Sequence, residues 1–134
     1  MLSQYNREEV GKLILRLTVG ILMIFHGYAK LTSSDSLDWI ASTLAAHGLP
    51  TVLAYGVYIG EILAPIMIIV GIYCRLGGWI IFVNMLFAIG LAHMGEILSF
   101  SQSGGWALEL QGFYLASGLV VALIGSGNFA VRPD

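Results

Sequence analysis

Charged residues are scarce in this 134-residue chain. They make up 10% of the sequence, whereas hydrophobic residues make up 57%; a soluble domain of ordinary composition carries about 25% charged residues. So few charges cannot cover the surface of a soluble fold, and the apolar runs exceed what one small core would bury. The composition therefore excludes an ordinary soluble domain and is typical of an integral membrane protein.

Cysteine and basic clusters are also nearly absent. Cys74 is the single cysteine, which excludes an intrachain disulfide, a CxxC redox pair and a thiolate-rich metal site. No basic tract alternates with aromatic residues, so nothing indicates nucleic-acid binding. No HxxxH or ExxH spacing supports a metal site, and no haem, flavin or iron–sulfur motif is visible. Any electron transfer would therefore need a cofactor or a partner protein.

Four apolar runs are long enough to cross a membrane core of about 30 Å, which takes about 20 helical residues. They cover residues 10–31, 53–73, 76–98 and 106–124. The first run continues into Lys30 instead of a small-x-small cleavage site, so we expect it to be retained. Two of the three connections are short, which makes consecutive helices antiparallel neighbours. We therefore predict a single all-α membrane domain, residues 1–134, folded as a four-helix bundle.

The longest connection follows the first run. Residues 32–35 are helix-capping types, and Leu37, Ile40 and Leu44 fall on one helical face. Pro50 ends the pattern, so the stretch is too short to cross a bilayer. It predicts a short amphipathic helix between spans one and two. This helix either lies along the membrane interface or covers the mouth of the bundle as a lid with no site beneath it.

Lysine and arginine are distributed unevenly along the chain. Five of the six lie near the N terminus, between the second and third runs, or near the C-terminal end: Arg7, Lys12, Arg16, Arg75 and Arg132. In a four-span protein these positions share one side of the membrane. The positive-inside rule then places both termini in the cytoplasm.

Glu61 lies near the middle of the second run, where an ionised side chain without a partner costs at least about 2.5 kcal/mol. Only a partner, a protonated state or a wet cavity makes it tolerable there. Pro65 has no N–H to donate to the Glu61 carbonyl, so this residue also presents a free backbone acceptor. Gly56 and Gly60 form a GxxxG pattern, which indicates close helix packing.

The first run carries two cations and two glycines on one narrow stripe. Gly20 and Gly27 lie between Arg16 and Lys30 and would let a neighbouring helix come close. Both cations are near span ends, where they either extend to the headgroups or make polar contacts inside the bundle. His26 is deeper, and a neutral histidine bonded to a carbonyl explains it as well as a functional role does.

The candidate binding residues lie at mid-depth or in the outer half of the predicted bundle: His26, Lys30, Glu61, Asn84, His93 and Glu109. Asn84 predicts a polar clasp between helices. Together with Glu96, the charged and histidine residues of this set allow two interpretations. The first is a polar pocket open to the outside; the second is an internally satisfied ion-pair network, for instance Lys30 with Glu61 or Glu109, that fixes helix register.

The order and spacing of these residues resemble the DoxX family of small four-span inner-membrane proteins over nearly the whole chain. The matching pieces are Arg16-Leu17-x-x-Gly20, His26-Gly27-x-x-Lys30-Leu31, Gly60-Glu61, Gly71-x-x-x-Arg75, His93, Glu109 and Gly125-Ser126-Gly127. Family endings usually carry proline where this chain has Ser126, and an aspartate a few residues on that Asp134 matches only loosely. This departure concerns the last residues and leaves the spans unaffected.

The resemblance implies a four-helix bundle in the bacterial inner membrane. Members of the family are linked to respiratory or detoxifying redox systems, including a thiosulfate:quinone oxidoreductase subunit, although for most members no activity is established. Carried onto this chain, the resemblance implies functional positions at Lys30, Glu61, His93 and Glu109. It implies topology and packing roles for Arg16 and Arg75.

Three functions fit these features. The first is a membrane subunit that binds a quinone or similar small apolar molecule between the helices, exchanges protons through Glu61 and His93, and receives electrons from a partner oxidoreductase. The second is a non-enzymatic scaffold in the bilayer that recruits an oxidoreductase or forms homo-oligomers through its glycine faces. Transport of a small solute ranks lower, because Pro65 is the only mid-membrane interruption and two related halves are not evident.

Overall fold

Helices dominate the structure. A computed structural model describes residues 3–32, 34–92, 95, 97–100, 102 and 104–134. The helices in these residues are α1 (Gln4–Leu31), α2 (Ser34–Ala46), α3 (Thr51–Val70), α4 (Cys74–Ala92) and α5 (Glu109–Ile124). The same residues contain no β-strand, only two isolated bridges between loop positions. The prediction of an all-α fold with a short helix between the first two spans is confirmed.

Within the described residues, α1, α3 and α4 are long and apolar enough to cross a membrane. The fourth predicted span corresponds to α5, which is apolar but has only 16 residues. At about 1.5 Å per residue it reaches about 24 Å, against about 30 Å for a hydrocarbon core. α5 starts at Glu109 instead of residue 106. α4 is described as far as Ala92, and part of the remaining predicted span, residues 93–98, lies outside the described residues. The fold is that of a multi-pass membrane protein.

α3 changes its winding around Glu61. Residues Ile59–Leu63 form a π-helix, in which the Ala64 N–H donates to the Ile59 carbonyl five residues earlier. Pro65 is the physical reason, since it has no N–H for the carbonyl four residues before it. The expectation that Pro65 interrupts the second span is confirmed.

Glycines bring α1 and α3 into backbone contact. A Cβ at Gly27 would overlap the Glu61 carbonyl and the Ile62 side chain, and a Cβ at Gly20 would overlap Ile69. The small residues predicted on the first run therefore let the neighbouring helix come close, as expected.

The GxxxG pattern of α3 has two different glycines. Gly60 packs against Asn84 of α4, where an added Cβ would overlap the amide. Gly56 has no atom within 4 Å of its would-be Cβ. Close packing is therefore confirmed for Gly60, and Gly56 leaves open space instead.

Gly27→Ala is expected to lower the free energy of unfolding by about 1–3 kcal/mol, because the added methyl group would enter space held by the Glu61 carbonyl. Gly11→Ala on the same helix is the matched control. Nothing lies within 4 Å of a Cβ at Gly11, so this exchange should be neutral or stabilise by up to about 1 kcal/mol. Denaturant unfolding of both variants in detergent micelles measures the difference. Equal stabilities would contradict the contact between α1 and α3.

Arg16 is buried, with 1% of its surface exposed. Its guanidinium donates hydrogen bonds of 2.7 to 3.2 Å to four carbonyls, those of Ile68, Ile69, Ser126 and Phe129. The first two belong to the last turn of α3, whose carbonyls have no intrahelical partner, and a cation there also complements the helix dipole. The alternative in which Arg16 extends to the headgroups is wrong. Arg16 is a packing residue that joins α3 to the segment after α5.

The segment after α5, residues 125–134, is fastened to the same end of the bundle. The Ser126 N–H donates to Asp134 Oδ1 at 3.2 Å, and the Asp134 N–H donates to Ser126 Oγ at 3.0 Å. Asp134 Oδ2 also accepts the Arg75 N–H at 2.9 Å. A proline at position 126 would lack the donor for the first of these bonds. Serine at this position therefore forms a reciprocal pair with Asp134 that proline could not form.

Candidate functional site

Glu61 meets Lys30 at the contact between α1 and α3. Lys30 Nζ lies 2.8 Å from Glu61 Oε1 and 2.7 Å from Oε2. Glu61 is 2% exposed, whereas 33% of the Lys30 side chain remains accessible. The predicted need of this carboxylate for a partner is confirmed. Of the two partners suggested for Lys30, the structure selects Glu61.

Local folding of both helices places this pair. Lys30 lies in the last turn of α1, where the helix dipole favours a cation. Gly27 precedes it by three residues on the same face. Because Gly27 lets the Glu61 backbone touch α1, the carboxylate comes within reach of the ammonium group. The π-helix puts Glu61 at a point where α3 departs from regular winding, a feature that is frequent at functional sites.

A cavity of about 870 Å³ lies beside the pair. It is bounded by α2, by α3 and by α4, and most of its lining is apolar. Its polar side chains are Lys30, Asp35, Ser36, Thr43 and Asn84. Cavities of about 300–1,000 Å³ with apolar walls and a few polar groups are typical of small-molecule sites.

Large apolar side chains of α3 and α4 form accessible parts of the cavity wall: Leu53, Ile59, Trp79, Val83 and Phe87. The cavity therefore presents an apolar wall, formed by α3 and α4, to a ligand. Such a wall favours an apolar ligand over a polar one.

α2 covers the cavity. Leu44 is buried, and Trp39, Ile40 and Thr43 also line the space beneath the helix. Of the two alternatives for this helix, the lid is the one that the contacts support. The space beneath this lid is the candidate site, and the alternative of a lid with no functional site beneath it is left to the binding experiments below.

Asn84 lines the cavity where α4 packs on α3. Asn84 contacts Gly60 through packing and not through the polar clasp that the sequence predicted. In the described part of the chain the Asn84 side chain makes no hydrogen bond. Its amide therefore offers both a donor and an acceptor to a molecule in the cavity.

Two predicted binding residues lie away from the cavity. His26 is exposed and packs edge-on against Tyr114 of α5, with ring centres 5.6 Å apart. Glu109 begins α5 with its carboxylate next to Gly105 and forms no ion pair with another described residue. Neither side chain lines the space beside Lys30.

His93 and Glu96 lie outside the described residues, so the role assigned to His93 stays a prediction. Among the residues that the structure describes, Lys30 and Asn84 line the cavity, and Glu61 is bonded to Lys30. The described candidates thus form an ion pair with a cavity beside it, and His26 and Glu109 do not join them.

The DoxX family model matches residues 11–94, which is more than half of the chain. The chain belongs to the DoxX family. The matched range of this DoxX protein contains most of α1 and all of α2, α3 and α4, and therefore Lys30, Glu61 and Asn84. The resemblance inferred from the sequence is confirmed.

This DoxX protein is also similar to a Bacillus subtilis (strain 168) protein named "Putative oxidoreductase CatD". The two are 26% identical over 127 residues, which cover 93% of this chain and 87% of the Bacillus protein. No solved structure matches the DoxX protein significantly.

Two features of this DoxX site were not predicted. Tyr114 is buried beside His26 and lies within electrostatic range of Glu61. A tyrosine inside an apolar run could have indicated it, because buried tyrosines usually find a polar neighbour. The cavity had no sequence signal, since it depends on how α2 packs against α3 and α4.

Across the described residues, no three His, Cys, Asp or Glu side chains are placed to hold a metal ion.

Proposed function

We propose that this DoxX protein is a membrane subunit that binds a quinone beneath α2 and works with a partner oxidoreductase. The observation that carries the proposal is the cavity beside the Lys30–Glu61 pair. It combines apolar walls with hydrogen-bond donors from Lys30 and Asn84. A quinone has the complementary form, with an apolar body soluble in the bilayer and ring carbonyls that accept hydrogen bonds.

The polar groups have distinct roles in this proposal. Lys30 donates a hydrogen bond to one ring oxygen, and its positive charge stabilises the negative charge that develops there as electrons arrive. Reduction to the quinol takes up two electrons and two protons. The electrons come from the partner oxidoreductase; a link to redox chemistry is supported by the Bacillus relative, which is itself named "Putative oxidoreductase CatD". The protons come from water and reach the ring through the polar groups of the cavity, Lys30 being the last donor.

The same proposal places the protein in the bacterial inner membrane with both termini in the cytoplasm. Support comes from the end of the bundle opposite Lys30, where the start of α1, the start of α4 and residues 125–134 meet. Five of the six lysines and arginines belong to this end. The positive-inside rule assigns such an end to the cytoplasm.

Tryptophan fluorescence tests quinone binding, because Trp39 and Trp79 line the cavity and the third tryptophan, Trp106, does not. Titration of the purified protein in nanodiscs with a short-chain ubiquinone analogue should give saturable quenching. Trp39→Phe/Trp79→Phe should abolish the saturable part. Asn84→Leu should weaken binding about 3–10-fold, which corresponds to one lost neutral hydrogen bond.

Gln111→Leu is the matched control for Asn84→Leu, since Gln111 is an amide on α5 that does not line the cavity. It should leave the affinity unchanged. Quenching that rises linearly without saturation, or equal effects of the two leucine variants, would contradict the proposed site.

A further inference from the structure

We infer that the cavity selects neutral hydrogen-bond acceptors over anionic amphiphiles, and that Glu61 determines this selectivity. The inference rests on the proposed ligand site and goes beyond it. Glu61 does not line the cavity, yet its charge decides which head group Lys30 can receive.

The hydrogen-bonding capacity of Lys30 is the first step. An ammonium group has three N–H donors. Glu61 Oε1 and Oε2 accept two of them, at 2.8 and 2.7 Å. The third has no acceptor among the residues that the structure describes, while Lys30 lines the cavity and keeps 33% of its side chain accessible. Lys30 can therefore donate to a ligand without leaving Glu61.

The net charge of the pair is the second step. Lys30 and Glu61 together are neutral, and the only other charged side chain lining the cavity in the described chain is Asp35. A ligand carbonyl that accepts the third N–H adds no charge. A carboxylate in the same place adds a negative charge that no cation balances, between apolar walls and beside Asp35. Uncompensated charge in such surroundings is strongly unfavourable.

Removal of the Glu61 charge should reverse this preference. In Glu61→Gln, Lys30 keeps its place beside an amide but loses its counterion. A ligand carboxylate would then supply the missing negative charge, whereas a neutral ligand would leave the ammonium unbalanced. The variant should therefore gain affinity for anions relative to neutral molecules.

Dibrominated stearic acid and its methyl ester are the matched probes, because they share the chain and the quencher and differ in head-group charge. Quenching of Trp39 and Trp79 is measured in nanodiscs at an alkaline pH that ionises the acid, with Trp39→Phe/Trp79→Phe as the background. Wild type should bind the ester at least about tenfold more tightly than the acid. Glu61→Gln should bring this ratio to one or invert it. Glu109→Gln removes a carboxylate that does not line the cavity and should leave the ratio unchanged.

Equal binding of acid and ester by wild type would overturn the inference, as would an unchanged ratio in a folded Glu61→Gln variant. If that variant does not fold, Asp35→Asn replaces it and should lower the ratio, because one of the two carboxylates near the ligand is removed. Discrimination between ester and acid without saturable quinone binding would overturn the quinone function alone. Quinone binding without discrimination would overturn the selectivity alone.

Discussion

Lys30→Met is expected to destabilise the protein by about 3–5 kcal/mol, because it leaves a buried carboxylate without its counterion. Glu61 is 2% exposed, and Lys30 bonds to both of its oxygens. The double variant Lys30→Met/Glu61→Leu removes both charges and should recover most of the loss, since apolar side chains of similar size often replace a buried ion pair without net cost. Unfolding followed by circular dichroism in detergent micelles measures all three proteins.

Lys12→Met is the control for this series. Lys12 forms a long ion pair with Glu9, 3.7 Å from Nζ to Oε1, and Glu9 keeps a hydrogen bond from the Asn128 N–H when Lys12 is replaced. Loss of the Lys12 ammonium group should lower the free energy of unfolding by about 1 kcal/mol or less. A double variant as unstable as Lys30→Met alone would show that the charge of Glu61 is not what Lys30 compensates.

Arg16→Met is expected to lower the free energy of unfolding by at least about 3 kcal/mol. It removes the donor for four carbonyls at once, and each buried acceptor left without a partner costs about 1–3 kcal/mol. Arg16 joins the last turn of α3 to residues 125–134. Arg16→Lys should fall between wild type and Arg16→Met, because one ammonium group cannot reproduce the planar fork of donors.

Arg7→Met is the matched control, because Arg7 is exposed and lies at the same end of α1. It should change stability by less than about 0.5 kcal/mol. The stability of each variant follows from its unfolding midpoint in detergent. Coincident midpoints for Arg16→Met and Arg7→Met would contradict the role assigned to the buried guanidinium.

The helices could be predicted because their signals are local. The length of each apolar run, the capping residues before α2 and the proline in α3 act within a few residues. The start of α5 could not be predicted in this way. Trp106 belongs to a loop in which its indole N–H donates to the Ile97 carbonyl at 2.6 Å, and the Ala107 N–H donates to the Ser99 carbonyl. Because of these contacts, residues that are apolar enough to belong to a membrane span lie outside the helix.

The part of the site that follows from solvation alone could be predicted from the sequence. A carboxylate in the middle of an apolar run requires a partner, so Glu61 was identifiable without a structure. The sequence could not show whether Glu61 or Glu109 is the partner of Lys30, because this choice depends on the close contact at Gly27. Arg16 shows the same limit. Its acceptors lie 52 to 113 residues away along the chain, and no local pattern connects them.

An experimental structure in lipid nanodiscs with a bound short-chain quinone would test the central claim most directly. We expect the ring beneath α2, with one oxygen within hydrogen-bond distance of Lys30 Nζ and with both Glu61 oxygens still bonded to that lysine. A quinone bound elsewhere on the bundle, or a Glu61 carboxylate turned toward lipid, would contradict the account.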